Sequence, residues 1–285
     1  MAISYSHKFG QIIGDLLEVA IKPFLQYFAD QHGLFLDVKG VRTLREKRQK
    51  VSWFDAEGNK HDLDFVLEKD GSQTTQGIPV AFIEAAWRRY TKHSRNKAQE
   101  IQGAILPLAA RYHSSHPFKG VILAGDFTTD ALTQLRSSGF TVLYFPYQTV
   151  LTAFRAFGIE AGFDEQTPEA DFAERVLRFY ALTDPAAVAR KMTELNQAEV
   201  NVFLAALQLS VSRQIEQVHI LPLHGNSAAL PTIAAAIAFV TSYTEMAASY
   251  AFIRYEIIVR YNTGTEINGK CQSKAEALDF LAKFV

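Results

Sequence analysis

Apolar positions recur along this chain with two different periods, and each change of period marks a new element. Over residues 8–31, Phe9, Ile12, Ile13, Leu16, Leu17, Ala20, Ile21, Phe24 and Phe28 return at helical spacing. The pattern predicts an amphipathic first helix that ends before Gly33, with Pro23 a point at which it can kink. A short apolar piece, Leu34 to Val38, leads into a basic segment over residues 42–50. Val51 to Phe54 and His61 to Leu67 then flank Asp55-Ala56-Glu57-Gly58-Asn59, a turn composition that predicts a β-hairpin. In the second arm, alternation puts Leu63, Phe65 and Leu67 on one side and Asp62, Asp64 and Val66 on the other. After a loop from Lys69 to Gly77, Val80 to Ile83 reads as a strand buried on both faces, with Glu84 at its end.

Helical spacing resumes from about Ser94 to Tyr112, with Ala98, Ile101, Ile105, Leu108 and Ala109 as the apolar stripe and Pro107 a source of distortion. Val121 to Ala124 is a further buried strand, Thr129 to Ser137 a short helix closed by Gly139, and Phe140 to Phe145 the next strand. Crossover helices between these strands predict an α/β fold with a mixed central sheet flanked by helices. Beyond about residue 160 the pattern changes. Pro168 to Ala181, Pro185 to Leu195 and Ala198 to Gln214 read as helices, followed by a strand from Val218 to Leu223 and an Ala-rich helix from Ala228 to Val240. A hairpin (Phe252 to Tyr261 with Glu266 to Cys271) and a closing helix to Phe284, opened by the capping box Ser273-Lys-Ala-Glu276, complete the chain. This division predicts a domain over 1–160 and a C-terminal α+β unit over 161–285.

Composition narrows the class of protein. At 285 residues with 48% hydrophobic content the chain can bury a large core, and the single cysteine, Cys271, excludes an internal disulfide framework and a cysteine-based zinc site. That usage fits a reducing cytosol. The N-terminal residues lack the charged and apolar regions of a signal peptide, and no apolar run reaches the length of a membrane span. A net charge of −1 says little about partners, but its distribution says more. Residues 42–50 and 88–97 are basic, whereas 160–174 is acidic.

Arg88, Arg89, Lys92, Arg95 and Lys97 follow the Glu84 strand with no acid among them, interleaved with Trp87 and Tyr90. Such a run is either a solvated face or a phosphate-binding surface, which neutralises phosphates with little sequence information. The aromatic rings can stack on bases or pack in a core. An acid at the edge of a buried strand is costly unless something pairs with it, and a metal ion is one such partner. The hairpin acids Asp62 and Asp64 share a face, so either is a candidate partner for Glu84 or part of a solvated strand edge. No phosphate-binding glycine loop and no nucleophile arrangement is present.

Hairpin acid (HDLDFVL), strand acid (VAFIEAAW) and basic helix entry together resemble the catalytic core of the PD-(D/E)XK nuclease superfamily, the fold of many restriction endonucleases, over roughly residues 8–150. The resemblance implies that Asp64 and Glu84 bind Mg²⁺, with Mn²⁺ able to substitute, and that an acid of the first helix, Glu18, joins them. It departs from the family two residues after Glu84, where Ala86 stands in place of the expected lysine. Arg88, by strand alternation, and Lys97, in the first turn of the next helix, are the cations that can replace it. Arg88, Arg89, Lys92, Arg95, Lys97 and Gln99, with Arg45 and Arg48 from a flexible basic arm, would hold DNA; Gln102 is a further candidate for a phosphate contact. The function implied is a metal-dependent endonuclease of the type II restriction kind, acting on double-stranded DNA as a homodimer, with residues 161–285 serving recognition or dimer contacts. The alternative is a catalytically silent nucleic-acid-binding or regulatory protein with the same fold.

Overall fold

The structure, a computed structural model, describes residues 4–246 and 251–284. It divides into two compact units, Met1–Leu207 and Gln208–Val285. The first opens with α1 (Tyr5–His32), capped by the Ser4 hydroxyl, which accepts the His7 N–H, and closed by Gly33 in the left-handed region (φ 62°). Pro23 lies inside this helix, which nevertheless continues to His32.

The strands that follow are β1 (Leu34–Val38), β2 (Val51–Phe54), β3 (Lys60–Leu63), β4 (Phe65–Lys69) and β5 (Ile78–Arg88). The predicted hairpin exists, but only β2 and β3 form it, as a separate two-stranded sheet. The run expected as one second arm is broken at Asp64, where the chain leaves the hairpin and β4 enters the main sheet between β1 and β5. Burial explains the break. Val66 and Glu68 are fully buried along with Phe65 and Leu67, so β4 is covered on both faces and cannot continue the half-exposed alternation of β3. β5 is also longer than expected. It runs through Glu84 to Arg88, so the acid lies within the strand rather than at its end.

After α2 (Ser94–Arg111), β6 (Phe118–Gly125), α3 (Thr129–Ser137) and β7 (Thr141–Pro146) complete a five-stranded sheet of order β1-β4-β5-β6-β7. The β1-β4 and β4-β5 pairs are antiparallel, whereas β5-β6 and β6-β7 are parallel, so the central sheet is mixed. Helices flank it: α1 packs against β5, and the stripe Ala98, Ile101, Ile105 and Leu108 of α2 joins Phe82, Ala86 and Val121 in one core. Residues 147–155, unassigned from the pattern, form α4 (Tyr147–Arg155).

The helices α5 (Glu169–Tyr180), α6 (Ala186–Leu195) and α7 (Gln197–Val211) replace the expected boundary near 160 with a later one. α5 and α6 pack on α1, where Phe172 meets Phe9 at a ring distance of 6.3 Å, and Phe203 of α7 packs edge-on against Phe118 of β6 at 5.4 Å. Their apolar faces therefore belong to the first unit's core. The second unit contains β8 (Ile215–Pro222), β9 (Ala228–Leu230), α8 (Ile233–Ser242), β10 (Tyr255–Tyr261), β11 (Glu266–Cys271) and α9 (Lys274–Ala282), with an antiparallel sheet of order β11-β10-β8-β9. The Ala-rich stretch is thus a strand followed by a helix, because Thr232 caps α8 four residues beyond the expected start. No helix among the described residues is long and apolar enough to cross a membrane.

Candidate active site

The register of β4 with β5 pairs Phe65, the first residue of β4, with Ile83. One step further along the same register, Asp64 faces Glu84. The antiparallel ladder stops there, and Asp64 turns its carboxylate onto the neighbouring strand, where Oδ2 accepts the Ala85 N–H at 2.7 Å. Glu84 remains paired on its other side with Val121 of β6. Two acids are therefore set side by side at the point where one strand departs, and the fixed backbone of β5 determines their spacing.

Glu84 is only 9% exposed. Burial, then the nearby Asp64 carboxylate, push its pKa from the usual value up to about 9. Asp64 is also raised by burial, while the Ala85 N–H, a hydrogen bond with Glu84 and the Lys97 charge pull the other way. At neutral pH the pair therefore holds one proton that neither acid would keep in water. Glu18, from the middle of α1, is raised to about 7 by burial and then by the charge of Asp64, which brings it into the same electrostatic neighbourhood. Asp62, the rival hairpin acid, behaves in the opposite way. Despite some burial it is lowered to about 2, because Ser52 at 2.6 Å, Lys50 at 2.9 Å and Lys60 at 3.3 Å all serve it. It is a satisfied surface acid.

Ala86 is buried in the core beneath α2. Of the two cations nearest the pair, Lys97 is the one felt by both Glu84 and Asp64, and its side chain is 13% exposed with Nζ 2.6 Å from Glu100. Arg88 donates to its neighbour's carbonyl, Trp87 O, at 2.8 Å and stands 4.0 Å from Glu100. Both line a cavity of about 420 Å³ between the first turns of α1 and the end of β5.

The remaining basic residues find acids that are remote in sequence. Arg89 binds Asp126 at 2.6 Å and the Phe163 carbonyl at 2.8 Å, and lies over the Tyr147 ring, which makes it a structural clamp. Lys92 pairs with Glu165 at 2.6 Å and Arg95 stands 3.9 Å from Asp130, both at exposed positions. Gln99 is exposed on α2, whereas Gln102 exchanges hydrogen bonds with Gln134 and Ser138 of the α3 region and is taken out of reach of a phosphate. The basic segment 42–50 is not a free arm. Arg42 is fully buried, bidentate to Glu68 and bonded to Asp37, while Arg45 holds Asp37 and the Val38 and Gly40 carbonyls. Arg48 stays exposed, beside a cavity of about 210 Å³ that Arg45 also lines.

Sequence reasoning placed Asp64 and Glu84 together but had no means of finding the acids that neutralise the basic run, nor Lys39, whose charge reaches Asp64 and Glu18. Among the described residues no three His, Cys, Asp or Glu side chains form a ready-made metal cage. The donor set still suits a hard divalent cation, which is commonly held by one or two carboxylates and completed by substrate phosphate and water.

The chain matches no protein-family model and no curated protein. A solved structure described as "Protein of Unknown Function AF1548" is similar at 13% identity over 67% of this chain and 99% of its own, with a TM-score of 0.30.

Proposed function

We propose that the first unit is a metal-dependent phosphodiesterase of the PD-(D/E)XK kind, acting on DNA as an endonuclease. The observation that carries this reading is the Asp64–Glu84 pair, placed opposite each other where β4 begins and reached electrostatically by both Glu18 and Lys97. Asp64 and Glu84 would hold Mg²⁺ or Mn²⁺, with Glu18 a further carboxylate. A bound divalent ion supplies Lewis-acid activation of water and of the phosphoryl group. The chain's own residues supply the rest. The Ala85 N–H fixes the orientation of Asp64. Lys97 is placed to offset the negative charge that builds on the phosphate, in the role of the lysine that Ala86 replaces. Glu18, whose proton is held by burial and by the charge of Asp64, is the third acid close to the pair.

The decisive experiment incubates duplex DNA, methylated and unmethylated, with the protein and Mg²⁺ or Mn²⁺, beside Asp64→Asn and Glu84→Gln. Cutting by the wild type that both variants lose is the expected result. Absence of cutting on every substrate removes the nuclease reading; equal cutting by the variants removes the site. The buried Ala86 favours a second reading, a catalytically silent binder of nucleic acid, which predicts DNA retention without hydrolysis. A homodimer and the restriction role belong to the same proposal, because one site per chain cuts both strands only when two chains act together.

A further inference from the structure

α1 carries two glycines one turn apart, Gly10 and Gly14, within 28 helical residues. Glycine destabilises a helix interior relative to alanine, and it is retained there when something must come close to the backbone. Among the described residues no atom beyond the helix's own backbone does so here: a Cβ built on either glycine meets nothing within 4 Å. Both instead line the 420 Å³ cavity, and Ala85 and Ala86 of β5 form part of its lining from the sheet. Arg88 and Lys97, which both face Glu100, a residue outside the lining, bring cationic groups to it, and Gln11 and His7, both exposed, add hydrogen-bonding groups from α1. Lys97 belongs equally to the acid pair, so the cavity and the candidate active site share a wall. On α1, positions 7, 11, 14 and 18 follow helical spacing along one face, so the cavity-lining residues are in line with Glu18.

We infer that this cavity seats the sugar-phosphate backbone of the DNA strand flanking the phosphate to be cut, with Gly10 and Gly14 leaving room for it and Gln11 and Arg88 positioning it. The inference rests on the nuclease reading and adds to it the path of the strand. A chain of phosphodiesters fits the lining, which pairs two cations with neutral donors and includes no carboxylate.

Gly14→Leu tests it. Leucine is a better helix former than glycine and has open space to occupy, so the variant folds with an unfolding midpoint equal to or above that of the wild type, yet projects a side chain into the cavity. Gly103→Leu is the control, because Gly103 on α2 is equally open but does not line this cavity. Binding of a labelled duplex is measured by anisotropy in EDTA, and cutting in Mg²⁺. Gly14→Leu should weaken binding by roughly tenfold or more and depress cutting, while Gly103→Leu leaves both in place. Gly14→Leu binding and cutting as the wild type does, or both leucine variants losing function alike, overturns the strand path while leaving the nuclease reading intact. A wild type that neither binds nor cuts removes both.

Discussion

Glu84→Gln provides the sharpest test of the acid pair, because it predicts a gain in stability from the loss of a charged residue. In the unfolded chain this carboxyl titrates near 4.5, whereas in the fold burial and Asp64 hold its proton up to about 9. Below pH 4.5 the carboxyl is protonated in both states and contributes nothing. Above it, the unfolded chain ionises while the folded one does not, so the wild type loses stability steadily until pH passes the folded value. At one pKa unit per 1.36 kcal/mol, the cost has reached about 3 kcal/mol by pH 7. Glutamine removes the titration and retains an N–H to donate to Asp64. The variant should match the wild type near pH 4 and exceed it by about 3 kcal/mol at pH 7, with a larger gap at pH 8.5. Urea unfolding followed by tryptophan fluorescence isolates the relevant unit, since the chain's two tryptophans, Trp53 and Trp87, both lie in it. Metal is kept out with EDTA. A stability difference that does not change between pH 5 and 8.5, or a variant weaker than the wild type at pH 7, would refute the reasoning, because it would mean that Glu84 ionises as an ordinary glutamate.

Two other substitutions probe the supporting charges. Arg42→Met takes the guanidinium away from the buried Glu68 and leaves Asp37 with Arg45 alone, and should cost about 3–5 kcal/mol at neutral pH in the same unfolding assay; a change below about 1 kcal/mol would show the network to be dispensable. Lys97→Ala removes the cation that opposes the proton on Glu84, so a carboxyl carbon NMR titration should show Glu84 ionising at higher pH than in the wild type. Lys97→Arg should restore the original midpoint, and Arg88→Ala should leave it in place; a shift with Arg88→Ala instead would assign the role to the wrong cation.

Periodicity reveals what lies within one element and loses what two elements make together. The stripe Ala98, Ile101, Ile105 and Leu108 was legible because its spacing alone fixes a buried helical face. Asp64 and Glu84 were legible as a pair because strand order brings them near. The break at Asp64 was not, since the alternation of β3 runs on into β4 without a glycine or proline to mark it, and only the double-sided burial of β4 shows the change of sheet. The basic run from Arg88 to Lys97 contains no acid in sequence, but Asp126, Glu165 and Asp130 arrive from other loops and helices. Arg42 looked like one more surface cation of a basic segment. Its partners, Asp37 and Glu68, lie in two strands whose pairing brings them together, and their charge makes its burial tolerable. The later domain boundary has a similar origin, because Phe172 and Phe203 read as the core of a second unit until the rings they meet are known.

The hydrogen bond from Ala85 to Asp64 places a spectroscopic probe inside the site. That amide proton points at a carboxylate, so its chemical shift follows the charge state of the pair with no label beyond nitrogen-15. Ala85 lies one step beyond the β4 ladder and is in register with Ile122 of β6 on its other side, so this proton is held by the Asp64 carboxylate rather than by a neighbouring strand. One resolved amide peak, followed through a pH series and again during a titration with Mg²⁺ or Mn²⁺, reads out proton loss and ligand arrival at the same atom.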